Sequence, residues 1–152
     1  MGERFPTYES YLSRLSINPP NPNLAIWSQI LPGLPHNVVA GFEYHHPHWG
    51  NEGNPDSLMP IITERWAPAD ADSELIAMRN TDRYYLLRRT NEFYIIFMKN
   101  LPTDSATVDS AFVFCGVYRM RLSESDTTHV VWERVSEQLD LLHLGYLERF
   151  RN

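Results

Sequence analysis

Three histidines stand within four positions in HHPHWGNEGNP, residues 45–55. Imidazole nitrogens bind zinc and other transition metals, which makes His45, His46 and His48 candidate ligands, with Glu43 or Glu52 as an oxygen donor. On extended backbone, neighbouring side chains point to opposite sides, which keeps His45 and His46 from sharing one ion. No CxxC or HExxH spacing accompanies them. The residues alone therefore predict a polar, hydrogen-bonded loop, with no metal needed for folding and no cofactor. Gly-x-Ser-x-Gly, Walker A and dinucleotide fingerprints are also missing from the sequence.

A second set of residues could bind rather than react. AFVFCGVYRMR, residues 111–121, alternates as a strand does. That puts Phe112, Phe114, Gly116, Tyr118 and Met120 on one side, with Val113, Cys115, Val117, Arg119 and Arg121 on the other. A glycine inside a strand marks a bend, a bulge or the close approach of another group. Between Phe114 and Tyr118 it predicts a notch floored by backbone and walled by rings, where a flat nucleobase could stack. The plainer reading is a bend in the sheet with the rings packing the core. Arg79, Arg83, Arg88, Arg89 and Arg119, in the same half of the sequence, could contact phosphate. Arginine suits that task because its planar fork of donors matches a phosphate.

Charge restrains this reading. The 152 residues carry a net charge of −6, which disfavours a general nucleic-acid binder and suits an acidic module docking on a basic protein partner. Yet residues 76–122 hold +3 and the remainder −9. Cys115 is the only cysteine, so no internal disulfide can form; its apolar neighbours predict an inert, buried thiol in a reducing, cytoplasmic protein. No run approaches the roughly twenty apolar residues that span a bilayer, and the first residues lack a signal-peptide pattern.

The elements that must position these residues form one expected domain, 1–152, with an irregular first part (1–75), a strand-rich part (76–135) and a C-terminal helix (136–150). Pro6-Thr7 starts a helix carrying Tyr8, Tyr11, Leu12 and Leu15 on one face, and residues 24–31 read as a second, short helix. Residues 38–44 read as a strand, and 59–66 as an edge strand because of Pro60. A short helix is expected at 74–79, then a hairpin of 83–89 and 92–98 turning at Thr90-Asn91. Strands at 111–121 and 129–135 follow, and Ser136 opens a helix through Leu139, Leu142, Tyr146 and Phe150. Short, mostly antiparallel strands with peripheral helices make the class α+β: a curled sheet or small barrel whose central strands are covered on both faces.

Two family resemblances attach to these residues. EYHHPHWGNEGNPDSLMPI, residues 43–61, resembles the opening of an HNH nuclease motif. That resemblance implies His45 as a metal ligand, His46 as general base and Asn54 as the middle asparagine; the third histidine of the motif is missing over 59–80. RYYLLRRTNEFYIIFMKNLP, AFVFCGVYRMR and VVWERV, within 83–135, resemble the PUA-like barrel superfamily in its SRA, EVE and ASCH branches. This second resemblance implies a reader of nucleic acid or of a nucleobase, modified or flipped out, with Tyr118, Trp132, Trp66 and Trp49 as pocket walls and Arg79, Arg83, Arg88, Arg89 and Arg119 as phosphate clamps; the missing catalytic motifs make the expected module non-enzymatic. It is the leading expectation. An acidic protein-interaction or inhibitor module and a degenerate HNH-like nuclease are the alternatives.

Overall fold

The structure, a computed structural model, describes residues 1–44, 50–53, 58–65, 72–74, 89–101 and 111–152. Helix α1 (Tyr8–Arg14) begins where the sequence places it. The Thr7 hydroxyl accepts from the Ser10 amide and the Ser10 hydroxyl accepts from the Thr7 amide, so both first-turn donors are satisfied. Tyr11 and Leu12 are the buried residues of its face.

Among the described residues eight strands form one sheet: β1 (Arg4–Phe5), β2 (Ser28–Gln29), β3 (Asn37–Glu43), β4 (Gly50–Gly53), β5 (Ile61–Arg65), β6 (Phe93–Lys99), β7 (Phe112–Met120) and β8 (His129–Ser136). Their order is β2-β3-β6-β7-β8-β5-β4, with β1 off this path against β7. Only β3 and β6 run parallel among these pairs. The expected α+β sheet is therefore what forms, an open path ending at β2 and β4.

Each face buries its own core. The first holds Phe5, Tyr11, Leu12, Val39, Phe93, Ile95, Phe97, Phe112, Phe114 and Val117, closed over by α1 and Leu144 and Leu147. Tyr11 stacks on Phe97 at 4.1 Å between ring centroids. The second holds Met59, Ile62, Tyr94, Ile96, Met98, Val113, Cys115, Tyr118, Met120, Val130 and Trp132. Apolar side chains on both sides explain why β6 and β7 read as unbroken apolar runs.

Four expectations are corrected. Residues 24–31 turn and then pair as β2 against β3, because the Gln29 side chain bonds the backbone of Asn21 and Ala25 and gives that segment an alternative to a helix. Strand β5 is interior, between β8 and β4; Pro60 precedes it, so no ladder donor is lost. The expected hairpin cannot form: β6 has β3 on one side and β7 on the other, Arg89 and Thr90 lie outside any strand, and 83–88 lie outside the described residues. Ser136 ends β8 opposite Val117 instead of capping a helix. Its hydroxyl bonds Gln138 O and Tyr146 Oη, the chain bends, and only a 3₁₀ segment at Leu144–Phe150 follows, with Leu142 exposed. The expected helix at 74–79 lies almost wholly outside the described residues.

Candidate functional site

Alternation along β7 does not survive the fold. Ile96 pairs with Gly116 but Phe97 pairs with Phe114, which leaves Cys115 as an extra residue on β7. Across the other edge, Val117 faces Ser136 and Tyr118 faces Arg134, so Val135 is extra on β8. These bulges lie where β7 exchanges partners: Arg4 and Phe5 pair with Val113 and Phe112, and β8 takes over from Val117. The extra residue flips every later side chain. Phe112, Phe114 and Val117 join the first core, while Val113, Cys115, Tyr118 and Met120 join the second. Phe114 and Tyr118 thus stand on opposite faces, a correction to the notch read from strict alternation.

Gly116 is needed for a different reason. Its φ is +124°, a region L-residues avoid, and a β-carbon there would stand 2.5 Å from Arg134 Cδ and 2.6 Å from Ser136 O. The Arg134 side chain lies across it, with Nη1 donating to Leu58 O at 2.9 Å and Cys115 O at 3.2 Å. Tyr118 Oη donates to Met59 O at 2.7 Å. Leu58 and Met59 both have positive φ, 48° and 62°, so Tyr118 and Arg134 hold two consecutive strained residues at the entry to β5. Burial pushes the Tyr118 phenol well above its usual range, and the Cys115 thiol up to about 12. Neither ionises near neutral pH.

A row of polar and aromatic side chains crosses the second face instead. Phe42 on β3 meets Tyr94 on β6 edge to face at 6.2 Å. Tyr94 stacks on Trp132 of β8 at 4.0 Å and 22°, across the intervening β7, as the inner side of a curl allows. Trp132 Nε1 donates to Glu64 Oε2 of β5 at 3.3 Å. Arg89 completes the row: its Nη1 donates to Glu64 Oε1 at 2.7 Å, and its guanidinium carbon stands 5.3 Å from the Tyr94 ring centre. Trp132 is fully buried, and Glu64 and Arg89 are each 8% exposed. The row thus holds a nearly dry ion pair beside two stacked rings.

Of the residues expected from the sequence, the structure brings Trp132 and Arg89 together here; Gly116 lies under the Arg134 side chain, and Tyr118 is packed in the second core. Arg119 faces outward, donating from Nε to Glu133 Oε1 at 2.7 Å and from Nη1 to Phe150 O at 2.9 Å. Partial burial works to raise the Glu133 carboxyl, but hydrogen bonds from Arg121 and Arg119 outweigh it and hold the group below its ordinary range. Trp49, Trp66, Arg79, Arg83, Arg88, Asn54 and the histidines His45, His46 and His48 lie outside the described residues. Among the described residues no group of three or more His, Cys, Asp or Glu is arranged to hold a metal. None of their helices is long and apolar enough to cross a membrane.

Sequence reasoning passed over Glu64 and Tyr94. A signal for Glu64 was present: in IITER it shares a strand face with Ile62, and an acid on the apolar face of a strand requires a partner.

No family model and no curated protein matches the chain. Among solved structures it is similar to one described as the 5-hydroxymethylcytosine-specific restriction enzyme AbaSI, at 18% identity and a TM-score of 0.47. The match covers 79% of this chain and 34% of that one, so the chain spans about a third of that protein.

Proposed function

We propose that the chain is a binding module, without catalysis of its own, that takes a nucleobase of a nucleic acid, modified or unmodified, at the Tyr94–Trp132–Glu64–Arg89 row. The observation that carries this reading is the ion pair. Withdrawing two charges from water costs several kcal/mol per ion, and apolar residues of similar volume would hold such a position at least as stably. A pair of this kind therefore makes better sense as recognition than as packing. A base has a flat face to lay on a ring and polar atoms on its edge. Here an aromatic surface and a carboxylate stand side by side, with a guanidinium suited to an acceptor or a phosphate.

Labelled single- and double-stranded oligonucleotides, with and without modified bases, should bind the wild-type protein at low salt and weaken as salt rises. Glu64→Gln keeps the shape and removes the charge, and should weaken binding by about tenfold or more, in line with the 1–3 kcal/mol of a base-edge contact. Absence of binding across the whole panel would overturn the reading.

A second reading, an acidic adaptor for a basic protein, is favoured by one observation. Trp27 and Ile30 are about half exposed around the terminal strand β2 of a chain with net charge −6.

A further inference from the structure

Resting on that reading, we infer that Arg89 is the internal occupant of the site, and that the external ligand which replaces it is the guanine edge. Arg89 sits as a ligand would: a flat group over the Tyr94 ring, its N–H pointed at Glu64 Oε1. An ionised carboxylate accepts only, and its two oxygens offer about four lone-pair positions. Glu64 uses one on Oε2 for the Trp132 indole and one on Oε1 for Arg89. When Arg89 leaves, the position its Nη1 held on Oε1 joins the open ones, and a pair of parallel donors can meet both oxygens.

The common bases differ sharply in what they can put there. Guanine presents N1–H and N2–H side by side, two parallel donors with the spacing of a guanidinium fork. Cytosine and adenine present one amino group beside a ring-nitrogen acceptor, whose lone pair repels a carboxylate. Thymine and uracil flank a single N–H with two carbonyls. A site shaped around a guanidinium on a carboxylate therefore selects guanine by attraction and rejects the other bases by repulsion. Guanine also has the larger ring face to lay on Tyr94. The displaced Arg89 becomes a cation beside an anionic ligand and can take a phosphate.

Thermal shifts of Arg89→Ala with guanosine, adenosine, cytidine and uridine test this directly. Guanosine should raise the melting temperature and the other nucleosides should not, and adding Glu64→Gln should abolish the effect. Should Arg89→Ala not fold, Arg89→Lys keeps Glu64 paired to a cation that cannot fork, and should bind guanosine more tightly than wild type. On oligonucleotides the wild-type protein should prefer guanine at the bound position by about tenfold or more.

Guanosine acting no better than cytidine on either variant overturns the inference. So does a response to acetyl-arginine amide without one to guanosine, which would make the occupant an arginine of a protein partner. Oligonucleotide binding without guanine preference leaves the nucleic-acid reading standing and removes only the inference. Guanosine binding by Arg89→Ala without oligonucleotide binding by wild type does the reverse.

Discussion

Tyr11 and Tyr118 are both fully buried, one in each core, and their hydroxyls meet opposite fates. Tyr11 Oη makes no hydrogen bond; its ring is held by stacking on Phe97 and edge contacts with Phe5 and Phe112. Tyr118 Oη donates to Met59 O and braces the strained pair ahead of β5. The first face is a packing surface in which a polar atom is an unused leftover. On the second face Tyr118 and Arg134 bond backbone carbonyls, and Glu64 accepts from both Arg89 and Trp132. One side of the sheet is held by ring packing, and the other carries the polar row to which the proposed function assigns recognition.

The largest test of this contrast is the ion pair. Glu64→Leu strips Arg89 of its carboxylate and should destabilise the protein by about 3–5 kcal/mol in denaturant unfolding, while Glu64→Leu with Arg89→Met should recover most of that loss. Equal losses for the single and double variants would show that the two residues do not act as a pair. A smaller effect is expected at Gly116. Its positive φ and the crossing Arg134 side chain predict that Gly116→Ala lowers stability by about 1–3 kcal/mol, read from the same unfolding curves. An unchanged midpoint would mean that β7 can exchange partners without the glycine. The smallest effects compare the two tyrosines themselves. Tyr118→Phe should cost about 1 kcal/mol, whereas Tyr11→Phe should be neutral or slightly stabilising, because it deletes a buried hydroxyl that bonds nothing. A loss at Tyr11 matching that at Tyr118 would erase the distinction between the faces.

The sequence made the local elements legible. The Thr7 cap, the α1 stripe and the runs that became β3, β6, β7 and β8 follow from periodicity and side-chain type. What it concealed depends on two strands at once. A bulge at Cys115 leaves no mark in the alternation of β7 itself, because it is defined by the register against β6. The parallel pairing of β3 with β6 is hidden for the same reason, since a hairpin partner close in sequence looks the better match. The candidate site was half visible. Trp132 and Arg89 stood out by type, but Arg89 read as a phosphate clamp because its partner, Glu64 on β5, lies 25 residues away in the chain. A charge declares its environment only when the opposite strand is known.

The pairing of β1 with β7 has a consequence for how the chain can be made and cut. Arg4 lies opposite Val113 and Asn37 opposite Phe93, so the centre of the sheet joins segments far apart in the chain. Each such closure loses loop entropy before any contact rewards it, which places this topology among slow folders. A fragment confined to residues 76–135 would retain β6, β7 and all of β8 but Ser136, yet β6 would lose β3 and β8 would lose β5. Two long apolar strands would then present open ladders of backbone donors and acceptors. Such a fragment is a seed for aggregation, not a smaller version of the domain.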